Sequence, residues 1–185
     1  MDSENDNLTI DECNFTGNIG NDTGAIKVYG NGSALIANST FKDNSAVNNS
    51  GAITANCSLT ILDSIFENNS GDKGGAISSQ GENTTINSSV FYLNKGRLGA
   101  SIFLNGDNVI IYDDLFIENV AESCGGGVYA NASNISVINS MFMSNSANYT
   151  GGAITWVSEN NTNGLVSNCS FVNNGISVMD DADAY

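Results

Sequence analysis

A phenylalanine followed three residues later by asparagine recurs seven times: Phe15/Asn18, Phe41/Asn44, Phe66/Asn69, Phe91/Asn94, Phe116/Asn119, Phe142/Asn145 and Phe171/Asn174. Successive phenylalanines lie 26, 25, 25, 25, 26 and 29 residues apart. A fixed period of this size marks a repeat architecture, in which one unit cannot bury its apolar face alone and stacked neighbours complete the core. Two further columns keep the same register. Gly24-Ala25-Ile26, Gly51-Ala52-Ile53, Gly75-Ala76-Ile77, Gly126-Gly127-Val128 and Gly152-Ala153-Ile154 follow the asparagines, with Gly99-Ala100-Ser101-Ile102 as a variant in the fourth interval. Apolar pairs such as Leu59/Ile61 and Val109/Ile111 stand seven and five residues before each phenylalanine. Apolar placement at period two over so few residues indicates β-strands.

The arrangement predicts an all-β fold: a right-handed parallel β-helix of about seven coils of ~25 residues, with three short strands per coil and Gly- and Asn-rich corners. Coils spaced ~4.8 Å apart give a rod roughly 30–35 Å long, with equivalent side chains directly above one another. The seven phenylalanines then form an aromatic ladder in the core, and the seven asparagines turn inward at a corner, where their amides satisfy backbone groups and one another. The residue two before each phenylalanine faces inward and is small: Cys13, Ser39, Ser64, Ser89, Asp114, Ser140 and Cys169. Residues 8–178 form the repeat domain, 1–7 an N-terminal segment outside it, and 179–185 an acidic tail carrying Asp180, Asp181 and Asp183.

A formal net charge of −15, five basic residues and no histidine argue against nucleic-acid partners, which require clustered Lys and Arg. Without histidine, a Ser-His-Asp or Cys-His nucleophile cannot be assembled within this chain. No apolar run approaches the ~20 residues needed to span a bilayer, so this segment makes no direct membrane insertion. Cys13 and Cys169 share a column but sit in the first and last coils, beyond the ~7 Å Cα limit for a disulfide, so four free thiols are expected. Asn-x-Ser/Thr sequons recur from Asn7 to Asn168, yet none begins at a ladder asparagine, as expected if those seven lie inside.

Three candidate chemistries remain. Asp63 and Asp113 share the position three before phenylalanine, two coils and roughly 9–10 Å apart, near the upper end of the window for an inverting carboxylate pair. With Asp114 they are the best candidates for a carbohydrate-active site, although their column also reads Glu12, Asn38, Ser88, Asn139 and Asn168, an ordinary polar row. Calcium is the one cofactor that stacked Asp, Asn and carbonyl oxygens could hold. Exposed aromatics are the lead for binding: Tyr129, Tyr149 and Trp156 fall outside the phenylalanine column, and aromatic faces stack on sugars or partner side chains.

The pairing of Gly-Gly-Ala-Ile with Phe-x-x-Asn resembles the repeats of chlamydial polymorphic outer-membrane proteins, which are autotransporter adhesins. The Asn/Ser/Thr-rich, Cys-poor version is similar to large adhesin-like surface proteins of methanogenic archaea. The resemblance covers about residues 8–178 and departs at Leu98-Gly99-Ala100-Ser101 and in the longer last interval, at Trp156–Asn163. It implies an extracellular, cell-surface, non-enzymatic domain within a longer chain of further repeats, whose signal and anchor lie outside this sequence. Its partner would be a protein or glycan on another cell, or it would serve as a rigid display stalk. The alternative is a polysaccharide lyase or glycosidase on the same fold.

Overall fold

The computed structural model describes residues 7–157 and 163–176. All regular elements among them are strands, and all pair in parallel. The first coil runs through β1 (Leu8–Asp11), β2 (Asn14–Thr16), β3 (Ile19–Gly20) and β4 (Ile26–Val28). Each of these founds a stack: three sheets of seven strands and one of six, so the chain is a parallel β-helix of six full turns and part of a seventh. The period predicts three strands per coil, whereas the structure has four. The added one is the short strand after the ladder asparagine, founded by β3, whose polar and glycine-rich sequence (Ser45–Ala46, Ser70–Lys73) carries no apolar alternation. Backbone pairing to its neighbours makes it a strand.

Equivalent residues are direct partners. Phe41 pairs with Phe66, Phe66 with Phe91 and Ile61 with Ile86. The seven rings stack almost parallel at centroid distances of 4.5–5.1 Å. Five of them, Phe41, Phe66, Phe91, Phe116 and Phe142, are fully buried among Ile and Val of the flanking sheets.

Two corners bracket every phenylalanine strand. The residue three before Phe and the residue two after it both adopt left-handed backbone. The first column is Glu12, Asn38, Asp63, Ser88, Asp113, Asn139 and Asn168, and the second is Gly17, Asp43, Asn68, Leu93, Glu118, Ser144 and Asn173. Left-handed geometry is unfavourable for most side chains and best tolerated by Gly, Asn and Asp. The polar row containing Asp63 and Asp113 is therefore a row of corners.

The second column also corrects the placement of the asparagine ladder by one residue. The spacing puts Asn119 at a corner, whereas the corner residue is Glu118 (φ 52°), and Asn119 stands between it and the strand Val120–Cys124. The turn at Glu118 is what allows the Asn119 side chain to point inward, where it is fully buried. The same one-residue offset holds for Asn44 after Asp43, Asn69 after Asn68 and Asn145 after Ser144.

The glycine column after the ladder has a steric explanation. A Cβ built on Gly24, Gly75 or Gly126 would collide with a carbonyl of the following coil, Gly51 O, Ala100 O or Gly152 O respectively. Ala100 stands in this column, fully buried, where the strand pairing to the next coil changes register. The register slips between Gly96/Ala121 and Leu98/Cys124, and Ala100 packs with Ala121 and Ala147 in a small cluster of their own.

Candidate functional site

The repeated columns are all absorbed by the interior. Each internal ladder asparagine makes the same three hydrogen bonds. Asn69 donates from its backbone N–H (3.0 Å) and from Nδ2 (3.0 Å) to Oδ1 of Asn94 in the next coil, and its other Nδ2 hydrogen goes to Phe41 O in the preceding coil (2.9 Å). Asn119 repeats this beside the irregular fourth coil. Its backbone N–H (3.0 Å) and Nδ2 (2.8 Å) both go to Asn145 Oδ1, its other Nδ2 hydrogen to Phe91 O (2.9 Å), and its Oδ1 receives Asn94. The side-chain row runs unbroken from Asn18 to Asn174. These amides are saturated structural groups joining three coils at a time.

The small inward column forms a second ladder. Ser39, Ser64, Ser89 and Ser140 each accept an N–H from the preceding coil or donate their hydroxyl to the carbonyl two residues back. The thiols of Cys13 and Cys169 point at the equivalent carbonyls, Asp11 O and Ser167 O. All four cysteines are free, Cys57 being buried and the others partly so.

Asp114 is the exception in this column. It is fully buried, and Oδ1 accepts the Ser89 N–H at 2.7 Å while Oδ2 has no hydrogen-bond partner among the described residues. Burial pushes its carboxyl up to about 7, against the lowering effect of the Ser89 and Tyr112 backbone, and the neighbouring Asp113 charge adds to the rise. In its protonated form the acid can donate as the serines of the column do. Asp63 and Asp113, at exposed corners two coils apart, have Ser88 between them and do not share a cleft with Asp114, whose side chain lies inside.

The three candidate aromatics are placed on three different parts of the rod. Tyr129 pairs with Thr155, and Ala130 with Trp156. Neighbouring strand residues face opposite ways, so Tyr129 and Trp156 lie on opposite faces of one sheet. Tyr129 stacks at 5.5 Å on Phe103, over which Lys73 Nζ sits at 5.9 Å. Tyr149 stands well exposed at the corner leading to this sheet. Trp156 closes the last inward column, Val28, Ala55, Ser79, Leu104 and Ala130. Its Nε1–H donates to Ala132 O at 2.8 Å, and its ring covers Gly164, occupying the space a Cβ there would need. Gly164 replaces the apolar residue found in equivalent positions, such as Ile135 with which it pairs. A small apolar cavity beneath is lined by Val137, Ile154 and Val166 among others.

The feature that sequence reasoning missed lies on the outer side of the phenylalanine sheet. The residues just before Phe read Asn14, Thr40, Ile65, Val90, Leu115, Met141 and Ser170, and they pair in sequence across the sheet. The residues just after Phe read Thr16, Lys42, Glu67, Tyr92, Ile117, Met143 and Val172 in the same order. From the third to the sixth coil the first column is apolar, and the second is apolar from the fourth onward, giving one continuous patch on the sheet face. Ile65, Leu115, Met141 and Val172 are exposed, and Val90, Tyr92, Ile117 and Met143 half-buried. The Lys42–Glu67 ion pair, at 2.8 Å, marks its polar border. Contiguous exposed apolar area on a folded chain commonly marks an interaction surface. The signal available in the sequence was Ile-Phe, Val-Phe-Tyr, Leu-Phe-Ile and Met-Phe-Met, each with apolar residues beside a phenylalanine that already fills the inside.

The chain matches no known protein family, no curated protein and no solved structure. Among the described residues, no group of three His, Cys, Asp or Glu side chains is placed to hold a metal ion, and no helix is long and apolar enough to cross a membrane.

Proposed function

We propose that this chain is a non-enzymatic, adhesin-like display domain on the outside of a cell, attaching to a protein of another cell through the outer face of the phenylalanine sheet. The observation that carries this reading is the apolar face of Ile65, Val90, Leu115 and Met141, flanked by Tyr92, Ile117 and Met143. These side chains contribute nothing to the core, which the phenylalanines of the same strands fill from the other side. A flat aliphatic and Met-rich face suits a protein partner better than a glycan, which calls for exposed aromatic platforms and polar edges. The acidic rod keeps such a surface soluble, and the likeness of its repeats to adhesin-like archaeal surface proteins points the same way.

The test transplants the second coil's Thr40 along the column. The triple variant Ile65→Thr, Leu115→Thr, Met141→Thr and the wild-type chain are compared in binding to whole cells, extracted surface proteins and a glycan array. Binding by wild type that is lost in a fully folded variant supports the reading, and undiminished binding removes this face from it. Polysaccharide depolymerisation that disappears in Asp63→Asn or Asp113→Asn would replace it with an enzymatic one.

A further inference from the structure

The apolar outer face belongs to four coils that have neighbours on both sides. Its strands, Ile65–Glu67, Val90–Tyr92, Leu115–Ile117 and Met141–Met143, hold three residues each, the middle one being the inward phenylalanine. Each strand is paired along both edges, so its backbone groups are committed to the coils above and below. A partner cannot add a strand here. It must dock by side chains and satisfy its own backbone internally, which an α-helix does.

The shape of the face selects the direction of that helix. Two outward columns, about 7 Å apart, make a strip that is narrow along the strands and long along the rod. From the third coil to the sixth, the rings beneath are spaced 4.9, 4.8 and 4.5 Å apart. An α-helix rises about 5.4 Å per turn, so a helix laid along the rod sets successive turns on successive coils. The mismatch accumulates to only about 2 Å over the four coils. Apolar side chains at i, i+4, i+7 and i+11 of such a helix then meet Ile65, Val90, Leu115 and Met141 in order.

Charge selects its flanks. Asp63 and Asp113 stand at exposed corners along one side of the strip and Glu118 at an exposed corner along the other. Residues 63–68, 88–93, 113–118 and 139–144, which make up the strip and both rims, contain no Lys or Arg. An apolar strip between negative rims complements a helix whose apolar stripe is bordered by basic residues, and it repels anionic lipid headgroups. We infer that the segment this face takes is a basic amphipathic α-helix of about 12–14 residues lying along the rod, its Lys or Arg side chains against Asp63, Asp113 and Glu118. The inference rests on the attachment reading's choice of face and names the chemistry of the partner.

The probe is a labelled synthetic peptide of about 14 residues, with leucine at i, i+4, i+7 and i+11 and lysine on both flanks. It is titrated into the full chain by fluorescence anisotropy, and its helicity is followed by circular dichroism. Two further peptides serve as comparisons, a scrambled one of the same composition and one with glutamate in place of lysine. The lysine-flanked peptide should become helical on binding and bind at least tenfold tighter than either. Ile65→Thr, Leu115→Thr, Met141→Thr together should abolish that preference. Neutralising the rims with Asp63→Asn, Asp113→Asn, Glu118→Asn should weaken the lysine-flanked peptide about tenfold. The same loss of three charges outside these columns, by Glu82→Gln, Asp107→Asn, Glu122→Gln, should leave its affinity within about twofold, because exposed charges farther off are screened. Equal binding of the scrambled peptide, equal weakening by the two charge variants, or binding of the chain to phosphatidylcholine–phosphatidylglycerol vesicles would each overturn the inference. Cell attachment that is lost in the threonine variant, without any binding of the peptide, would overturn it and leave the attachment reading standing. Peptide binding with the expected preferences and no attachment to any cell would do the reverse.

Discussion

The two sides of the phenylalanine strand obey different rules although they share one backbone and one register. Inside, phenylalanine recurs at every coil, each ring 4.5–5.1 Å from its neighbours. Outside, the adjoining column passes from Asn14 and Thr40 to Ile65, Val90, Leu115 and Met141, then back to Ser170. An inward side chain meets its own equivalents above and below within a closed, densely packed space, so a change in one coil leaves a void or a clash in two others. An outward side chain meets water, and the fold tolerates almost any residue there. Variation on the outside is therefore where the surroundings of the rod leave their mark, and four consecutive apolar residues in an exposed column have no explanation in folding.

The largest effect is expected from breaking the inner side. Phe91 stacks on Phe66 at 4.9 Å and Phe116 at 4.8 Å with no exposure, so Phe91→Ala should cost about 3–5 kcal/mol in denaturant unfolding. Asn94→Ala deprives Asn69 of an acceptor and Phe66 O of a donor, leaving buried groups unpaired at about 1–3 kcal/mol each. A loss below about 1 kcal/mol in both would contradict a packed ladder.

Asp114 makes the inner side sensitive to pH. The folded chain holds this proton up to about pH 7, whereas the unfolded chain releases it near 3.8, so unfolding between these values is accompanied by proton loss. The stabilisation is complete below about pH 4, diminishes as pH rises and is gone above about 7. At about 1.36 kcal/mol per unit, the fall attributable to this group amounts to roughly 4 kcal/mol. Asp114→Ser, which restores the residue of the neighbouring coils, should flatten that part of the stability curve. A curve of unchanged slope would mean that Asp114 is ionised in the folded chain.

The inner columns were legible because Phe and Asn are chemically distinctive and recur at one spacing. The corners were only half legible. Asp63 and Asp113 stand out as a pair of aspartates in a column otherwise of Asn, Ser and Glu, and the physical reason for that column, left-handed backbone, lies in torsion angles that composition hints at without fixing. For the same reason the spacing assigns the turn to Asn119, which recurs, and not to Glu118, whose column holds seven residues of six kinds. Gly164 and Trp156 show another limit. Each looks like an irregularity in the long last interval, and only their contact reveals that one ring fills the place of a missing side chain. The outer apolar face escaped notice because Ile65, Leu115 and Met141 adjoin phenylalanine in apolar runs, which read as core until strand direction assigns alternate residues to opposite faces.

Leu93 tests the corners with a smaller change. It occupies a left-handed position (φ 56°) that Asp43, Asn68 and Gly17 fill in other coils. Because leucine is disfavoured there by roughly 1–2 kcal/mol, Leu93→Asn should stabilise the chain, by about 1 kcal/mol once partial relaxation is allowed for. Destabilisation would show that the leucine side chain makes contacts worth more than the strain it carries, and would extend the apolar face across the corner.

The smallest expected effect on stability is the most informative for function. Ile65→Thr, Leu115→Thr and Met141→Thr place on coils three, five and six the β-branched residue that Thr40 already supplies in coil two, at positions whose side chains stand outside the core. Substitutions at such sites usually stay within about 0.5 kcal/mol, and threonine's preference for strands offsets part of the lost apolar contact between neighbouring outward residues. The unfolding midpoint of the triple variant should therefore lie close to that of wild type, while its tendency to bind hydrophobic dyes or partner proteins falls. If instead the variant unfolds as readily as Phe91→Ala, the outer column is part of the folding unit, the contrast between the two faces disappears, and the apolar stripe needs no partner to account for it.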